Sequence, residues 1–327
     1  MKTTRVPSIL WTALKVLVTG GLITWLVVRF DWEEVFYALR TVPVGIIIFG
    51  GAALAVGQLI AALRLNILLN SQEIRIGYLR ALRLNLIGLF ASNYLPSTVG
   101  GDALKLAMIA REGHSKTTTL ATLAADRLTS MITMLFFLPF IFLLGRELQL
   151  DVNVGIFLVA AIGLGILIVG SVLLLGRLNE TIQVHNEHLV FRWYVILKDI
   201  LSRMILAFKL WIEQPAVLGV AVLLSLATFL VGYFSGWVLI SQGAGADIKF
   251  VEWIAVSVVM YFLILLPISI NGLGLQEAGL VFVLPLMGVS PEASLLYAVL
   301  IRLLQLLLSI PGGFLLWVGK KQVESET

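Results

Sequence analysis

Apolar runs of about 20 residues recur along the whole chain, and they decide what it can fold into. At about 1.5 Å per residue, a helix of that length crosses a hydrocarbon core of roughly 30 Å. The clear spans fall at about 9–28, 43–63, 119–144, 154–176, 215–241 and 292–318. With 59% hydrophobic and 13% charged residues, the chain lies far from a soluble domain, which averages roughly 45–50% apolar and 25% charged. In lipid every backbone group must find a partner inside the protein, so only helices or a closed barrel can span. The period-2 alternation a barrel needs is weak, and the expected fold is an all-α polytopic membrane protein. The first run, Ile9 to Val28, is too long for a signal-peptide core and no A-x-A site follows it, so it reads as a retained helix.

Several chemistries drop out early. There is no cysteine, which excludes disulfides, thiolate nucleophiles and Cys-ligated metals. The net charge of +4 comes without a basic stripe interleaved with aromatics, so no nucleic-acid partner is expected. No G-x-x-x-x-G-K-[ST] element and no Ser-His-Asp pattern occurs. The chain is therefore expected to be neither an ATPase nor another enzyme, and to need no cofactor. His185 and His188 share a polar loop with Glu187, too few ligands for a metal site.

Two apolar stretches are interrupted: 82–111 by Pro96 and Gly100-Gly101, and 251–288 by Pro267, Asn271-Gly272 and Gly274. If both are re-entrant hairpins, the segments 1–8, 64–83, 111–118, 177–214 and 319–327 share one side and hold fifteen Lys/Arg, against four on the other. That asymmetry satisfies the positive-inside rule for a cell inner-membrane protein with both termini cytoplasmic. Eight full spans would split 64–83 from 111–118 and fit the rule less well. "DWEEVFYALR" at 31–40, with Asp31 as N-cap and Trp32, Val35, Phe36 and Leu39 on one face, reads as an outer interfacial helix. The basic amphipathic segment within 177–214 reads as cytoplasmic and interfacial.

The two interrupted stretches resemble each other at a constant offset. Asp102 falls on Glu277, Gly113 on Gly288, Ser115 on Ser290, and Arg127-Leu128 on Arg302-Leu303. This suggests repeat A over about 82–144 and repeat B over about 251–318, inserted from opposite sides as an inverted-topology repeat. Helical rise sets the depths. Asp102 is expected to cap a helix beginning near Ala103, after a tight reversal at Gly100-Gly101. From Asp102 to the turn near Gly113, and from Lys116 to Arg127, the chain runs about eleven residues, or roughly 16 Å, each way. Acid and arginine thus arrive together near the midplane, and the same holds for Glu277 and Arg302. A charge there costs about 2.5–3.5 kcal/mol on insertion scales.

Two readings remain open: structural ion pairs, or an anion site built from two arginines and the positive ends of two broken helices. On the second reading Arg127 and Arg302 hold a phosphate, with Asp102 and Glu277 as exchangeable counter-ions or proton carriers. Gly100, Gly101, Asn271, Gly272, Gly274, Asn93 and Ser97 then shape the breaks and line a polar path.

"NYLPSTVGGDALKLAMIAREG", the downstream "ADR" and "LPISINGLGLQEAGLVFVLPLMGVSPEASLLYAVLIR" resemble the flippase-like transmembrane family of the lysylphosphatidylglycerol synthase membrane region. The resemblance covers nearly the whole chain, and the P-x-x-x-G-G-D and N-G-x-G-x-x-E elements carry it. It implies a lipid-translocating module, which in the bifunctional synthases moves aminoacylated phosphatidylglycerol to the outer leaflet. The chain reads as a stand-alone member without the soluble aminoacyl-transferase domain. The expected activity is movement of an anionic phospho- or isoprenoid-phosphate-linked lipid headgroup across the bilayer. The alternative is a non-transporting scaffold whose partner is a separate lipid-modifying enzyme or glycosyltransferase. Oligomerisation is compatible with either.

Overall fold

The computed structural model describes residues 6–94, 100–141, 214–265 and 269–326, and every regular element among them is helical. The first six helices are α1 Val6–Arg29, α2 Trp32–Thr41, α3 Val44–Ser71, α4 Tyr78–Tyr94, α5 Gly100–Arg111 and α6 Lys116–Leu135. Further on, α7 Pro215–Val238 ends in a π turn over Leu239–Gly243. α8 is Phe250–Leu265, α9 is Leu275–Val283 with a 3-10 turn over Leu284–Met287, and α10 is Pro291–Glu326. The expected span 154–176, nearly all of the segment 177–214, and Ser97 lie outside the described residues.

Val44–Ser71, Pro215–Gly243 and Pro291–Val318 are each long and apolar enough to cross a membrane. They turn large apolar side chains outward, among them Val44, Leu223 and Leu307. Water would penalise such a surface; lipid tails solvate it. Inside, small residues let helices approach. Gly50 of α3 lies under the Leu239 side chain, and Ser235 Oγ donates to the Gly50 carbonyl at 3.3 Å. One core gathers Trp253, Val256, Leu284, Tyr297 and Leu300 around α7–α10. A second gathers Leu65, Leu69, Leu84, Ile109 and Leu123 around α3–α6.

Each core holds a helical hairpin. In the first, Arg80 near the start of α4 pairs with Glu112 just past the end of α5. Farther in, Gly101 packs directly on the Gly88 carbonyl and the Ser92 hydroxyl. The two helices are therefore antiparallel, with one shared base. In the second, Gly279 of α9 meets Leu263 and Met260 of α8, and Gly272 meets Ile264. α10 orders the two hairpins. Arg83 Nη2 donates to the Leu315 carbonyl at 3.2 Å, Gly312 packs on the Leu86 backbone, and Asn93 Nδ2 reaches the Gln305 carbonyl at 3.5 Å. The first hairpin's base thus lies beside residue 315 of α10, while the second hairpin's base adjoins its start at Pro291. The tips meet, with Asn271 Nδ2 donating to Asn93 Oδ1 at 2.9 Å.

Three expectations are corrected. α3 runs eight residues past the expected end at 63, so Arg64 sits within the helix at 8% exposure and is not a loop charge. α5 begins at Gly100, which makes Asp102 its third residue and not its cap. Gly100 and Gly101 are accordingly helical, and the segment 95–99 between α4 and α5 lies outside the described residues. Gly101 is needed for close approach to α4, since a Cβ would collide with the Gly88 carbonyl. In α2, Asp31 Oδ1 does accept from the Glu33 and Glu34 amides at 2.9 and 3.4 Å. Its apolar face is divided: Val35 packs with Leu26, Val281 and Leu295, while Phe36 points outward.

Candidate functional site

The helix starts place the acids. Asp102 is the third residue of α5 and Glu277 the third of α9, so both carboxylates lie in the first turn of a broken helix. There the unpaired amides and the helix dipole favour negative charge. α6 and α10 return after near-identical turns. Gly113 and Gly288 take left-handed φ of 88° and 79°, which only glycine adopts without strain. Ser115 Oγ then accepts from the Thr118 amide at 3.3 Å, and Ser290 Oγ from the Ala293 amide at 3.1 Å. Thr119 and Ser294 each donate to the carbonyl of the capping serine at 2.8 Å. Each of these pairs of positions keeps the offset that separates Asp102 from Glu277.

Equal legs bring the charges together. Arg127 Nε lies 2.7 Å from Asp102 Oδ2, and Arg302 Nε lies 2.6 Å from Glu277 Oε1. Beyond that contact the pairs differ. Arg302 is 11% exposed, and its Nη2 also donates to the Gly272 carbonyl at 3.2 Å. The break is thereby tied to α10: Asn271 (φ 49°), Gly272 (φ 71°) and Gly274 (φ 76°) make the reversal, and Arg302 satisfies one of its freed carbonyls. α1 braces the same reversal, with Thr19 Oγ1 accepting from the Ile270 amide at 3.0 Å and Gly274 packed on Thr19 and Leu22. Arg127 is 56% exposed and makes one side-chain bond, to Asp102; its two terminal nitrogens have no partner among the described residues. Asp102 in turn holds Lys105 Nζ at 3.5 Å through its other oxygen.

Sequence reasoning left a third charge pair unassembled. Asp126, about 100° around α6 from Arg127, faces Arg64, with Nε to Oδ1 at 2.7 Å. Arg64 Nη1 also donates to Ser130 Oγ at 2.9 Å and Ser225 Oγ at 2.6 Å, joining α3, α6 and α7. Tyr261 of α8 lies within electrostatic range of Arg64 and Arg127. An aspartate beside the key arginine was the signal; Arg64, at the end of an apolar run, reads as a loop charge until α3 is seen to continue. Among the described residues Arg64, Lys105 and Arg127 face Asp102 and Asp126, three cations to two carboxylates in this cluster.

Of the sequence-predicted residues, Asp102 joins Arg127, Glu277 joins Arg302 and Gly272, and Asn93 joins Asn271. Gly100 opens α5, Gly101 serves close approach to α4, and Gly274 belongs to the turn before α9. Among the described residues no hydrogen bond or ion pair links Arg127 to Arg302, and no group of three His, Asp or Glu side chains is placed to hold a metal ion. A family model described as the lysylphosphatidylglycerol synthase TM region matches residues 12–312. Comparison with curated proteins finds no match.

Proposed function

The chain belongs to the family of lysylphosphatidylglycerol synthase transmembrane regions, and from that membership we propose that it carries an anionic lipid headgroup across the bilayer, with Arg127 as the phosphate contact. The observation that carries this reading is the open guanidinium. Among the described residues Arg127 spends only its Nε, on Asp102; it stays half exposed and sits beside the start of a broken helix, in a cluster of three cations and two carboxylates. A guanidinium with both terminal nitrogens free offers the planar fork that grips two phosphate oxygens.

Two oppositely inserted hairpins whose tips touch fit an inverted-topology carrier. Support comes from the constant offset that relates turns, caps and pairs, and from bases that adjoin opposite ends of the apolar part of α10. On this reading Arg302 is the counterpart of Arg127 in position, held against Glu277 and the Gly272 carbonyl. The excess of Lys/Arg in the segments expected on one side supports a cell inner-membrane protein with both termini cytoplasmic. The central groups are cations, carboxylates and amides, which suit a carrier of an anionic headgroup. A lipid phosphate is the partner that an excess cation at membrane depth would recognise.

The test is a leaflet assay in vesicles containing a fluorescent phosphatidylglycerol, with the phosphatidylcholine analogue as comparison. The parent should move the anionic probe faster, and Arg127→Met should abolish the difference at normal expression. Arg127→Lys should restore little of it, because an ammonium lacks the fork. Full transport by Arg127→Met would overturn the phosphate role.

A further inference from the structure

The two acid–arginine pairs share geometry but not charge. Asp102 is held by two cations through separate oxygens: Arg127 on Oδ2 at 2.7 Å and Lys105 on Oδ1 at 3.5 Å. Lys105 lies one turn along α5, is 10% exposed, and its stem runs so close over Gly88 of α4 that a Cβ there would displace it. In the second repeat the position equivalent to Lys105 is Leu280, in the apolar core. Among the described residues Glu277 has Arg302 alone, and its Oε2 is buried without a partner.

The consequence concerns exchange. If Arg127 turns from Asp102 to an incoming phosphate, Asp102 still has Lys105, and no buried carboxylate is stranded. If Arg302 did the same, Glu277 would be left buried with neither oxygen paired, the costly state for a charge in low dielectric. We propose that Lys105 is the positioning residue that keeps Asp102 neutralised while Arg127 leaves it for the lipid phosphate. Exchange therefore takes place in the first repeat, and Glu277–Arg302 stays closed as the clasp of the second hairpin. This rests on the reading of Arg127 as the phosphate contact.

The experiment uses the full chain in vesicles with fluorescent phosphatidylglycerol, comparing Lys105→Met, Asp102→Asn with Lys105→Met, and Arg127→Met with the parent. Without Lys105 the one partner left to Asp102 among the described residues is Arg127, so the arginine is locked; transport should fall about tenfold or more with an unchanged thermal midpoint. Removing the Asp102 charge as well makes the lysine unnecessary, and the double variant should recover to within about threefold of the parent, a coupling a merely structural lysine would not show. Lys105→Arg should keep activity if it folds. Full activity in Lys105→Met, or a loss that the double variant does not recover, overturns the role of Lys105 while leaving Arg127 as the contact. Full activity in Arg127→Met overturns the underlying reading instead.

Discussion

The unequal burial of the two arginines predicts unequal costs of removing them. Arg302→Met would strand Glu277, whose Oε1 loses its 2.6 Å partner and whose Oε2 has none, and would orphan the Gly272 carbonyl. Breaking a buried pair from one side costs about 3–5 kcal/mol, and an unsatisfied carbonyl adds about 1 kcal/mol or more. Replacing both members, Glu277→Gln with Arg302→Met, removes the stranded charge and should recover about 3 kcal/mol of that loss. Arg127→Met leaves Asp102 with Lys105 on its other oxygen, so no carboxylate is stranded and the cost should fall well below that of Arg302→Met. The assay is unfolding in mixed micelles by denaturing detergent, read by tryptophan fluorescence, on all three variants beside the parent. The order of stability should be parent close to Arg127→Met, then the paired variant, then Arg302→Met well below. Equal stability of the two single arginine variants would refute the asymmetry.

Three further outcomes follow from particular contacts. Gly101→Ala should destabilise by about 1–3 kcal/mol through overpacking, because the added methyl meets the Gly88 carbonyl and Ser92, whereas Gly113→Ala should cost only the strain of its φ of 88°. Single cysteines at Lys116 and Glu292, both accessible, should label from opposite faces of intact cells in this cysteine-free chain; labelling of both from one face would remove the opposed-hairpin arrangement. Arg64→Met should destabilise more than Arg127→Met, since it strands Asp126 and frees Ser130 and Ser225 together, and thermal unfolding compares the two.

The sequence by itself determined the solvent, the element type and the matched depth of charge. Long apolar runs allow only helices in lipid, and equal legs of about eleven residues carry Asp102 to Arg127 and Glu277 to Arg302 because helical rise is fixed. Glycine and serine at Gly113, Ser115, Gly288 and Ser290 mark turns and caps through local chemistry, which needs no neighbours to be read. What lies across helices was not legible, because the packing of side chains from distant segments sets no local pattern. Arg64 looked like a loop charge until α3 was seen to continue and α6 and α7 to supply Asp126, Ser130 and Ser225. Gly101 looked like a turn residue until α4 was found against it. Only the tertiary structure decided that one arginine is open and the other sealed, since that depends on what distant backbone reaches it: Arg302 meets the Gly272 carbonyl as well as Glu277, whereas among the described residues Arg127 meets Asp102 alone.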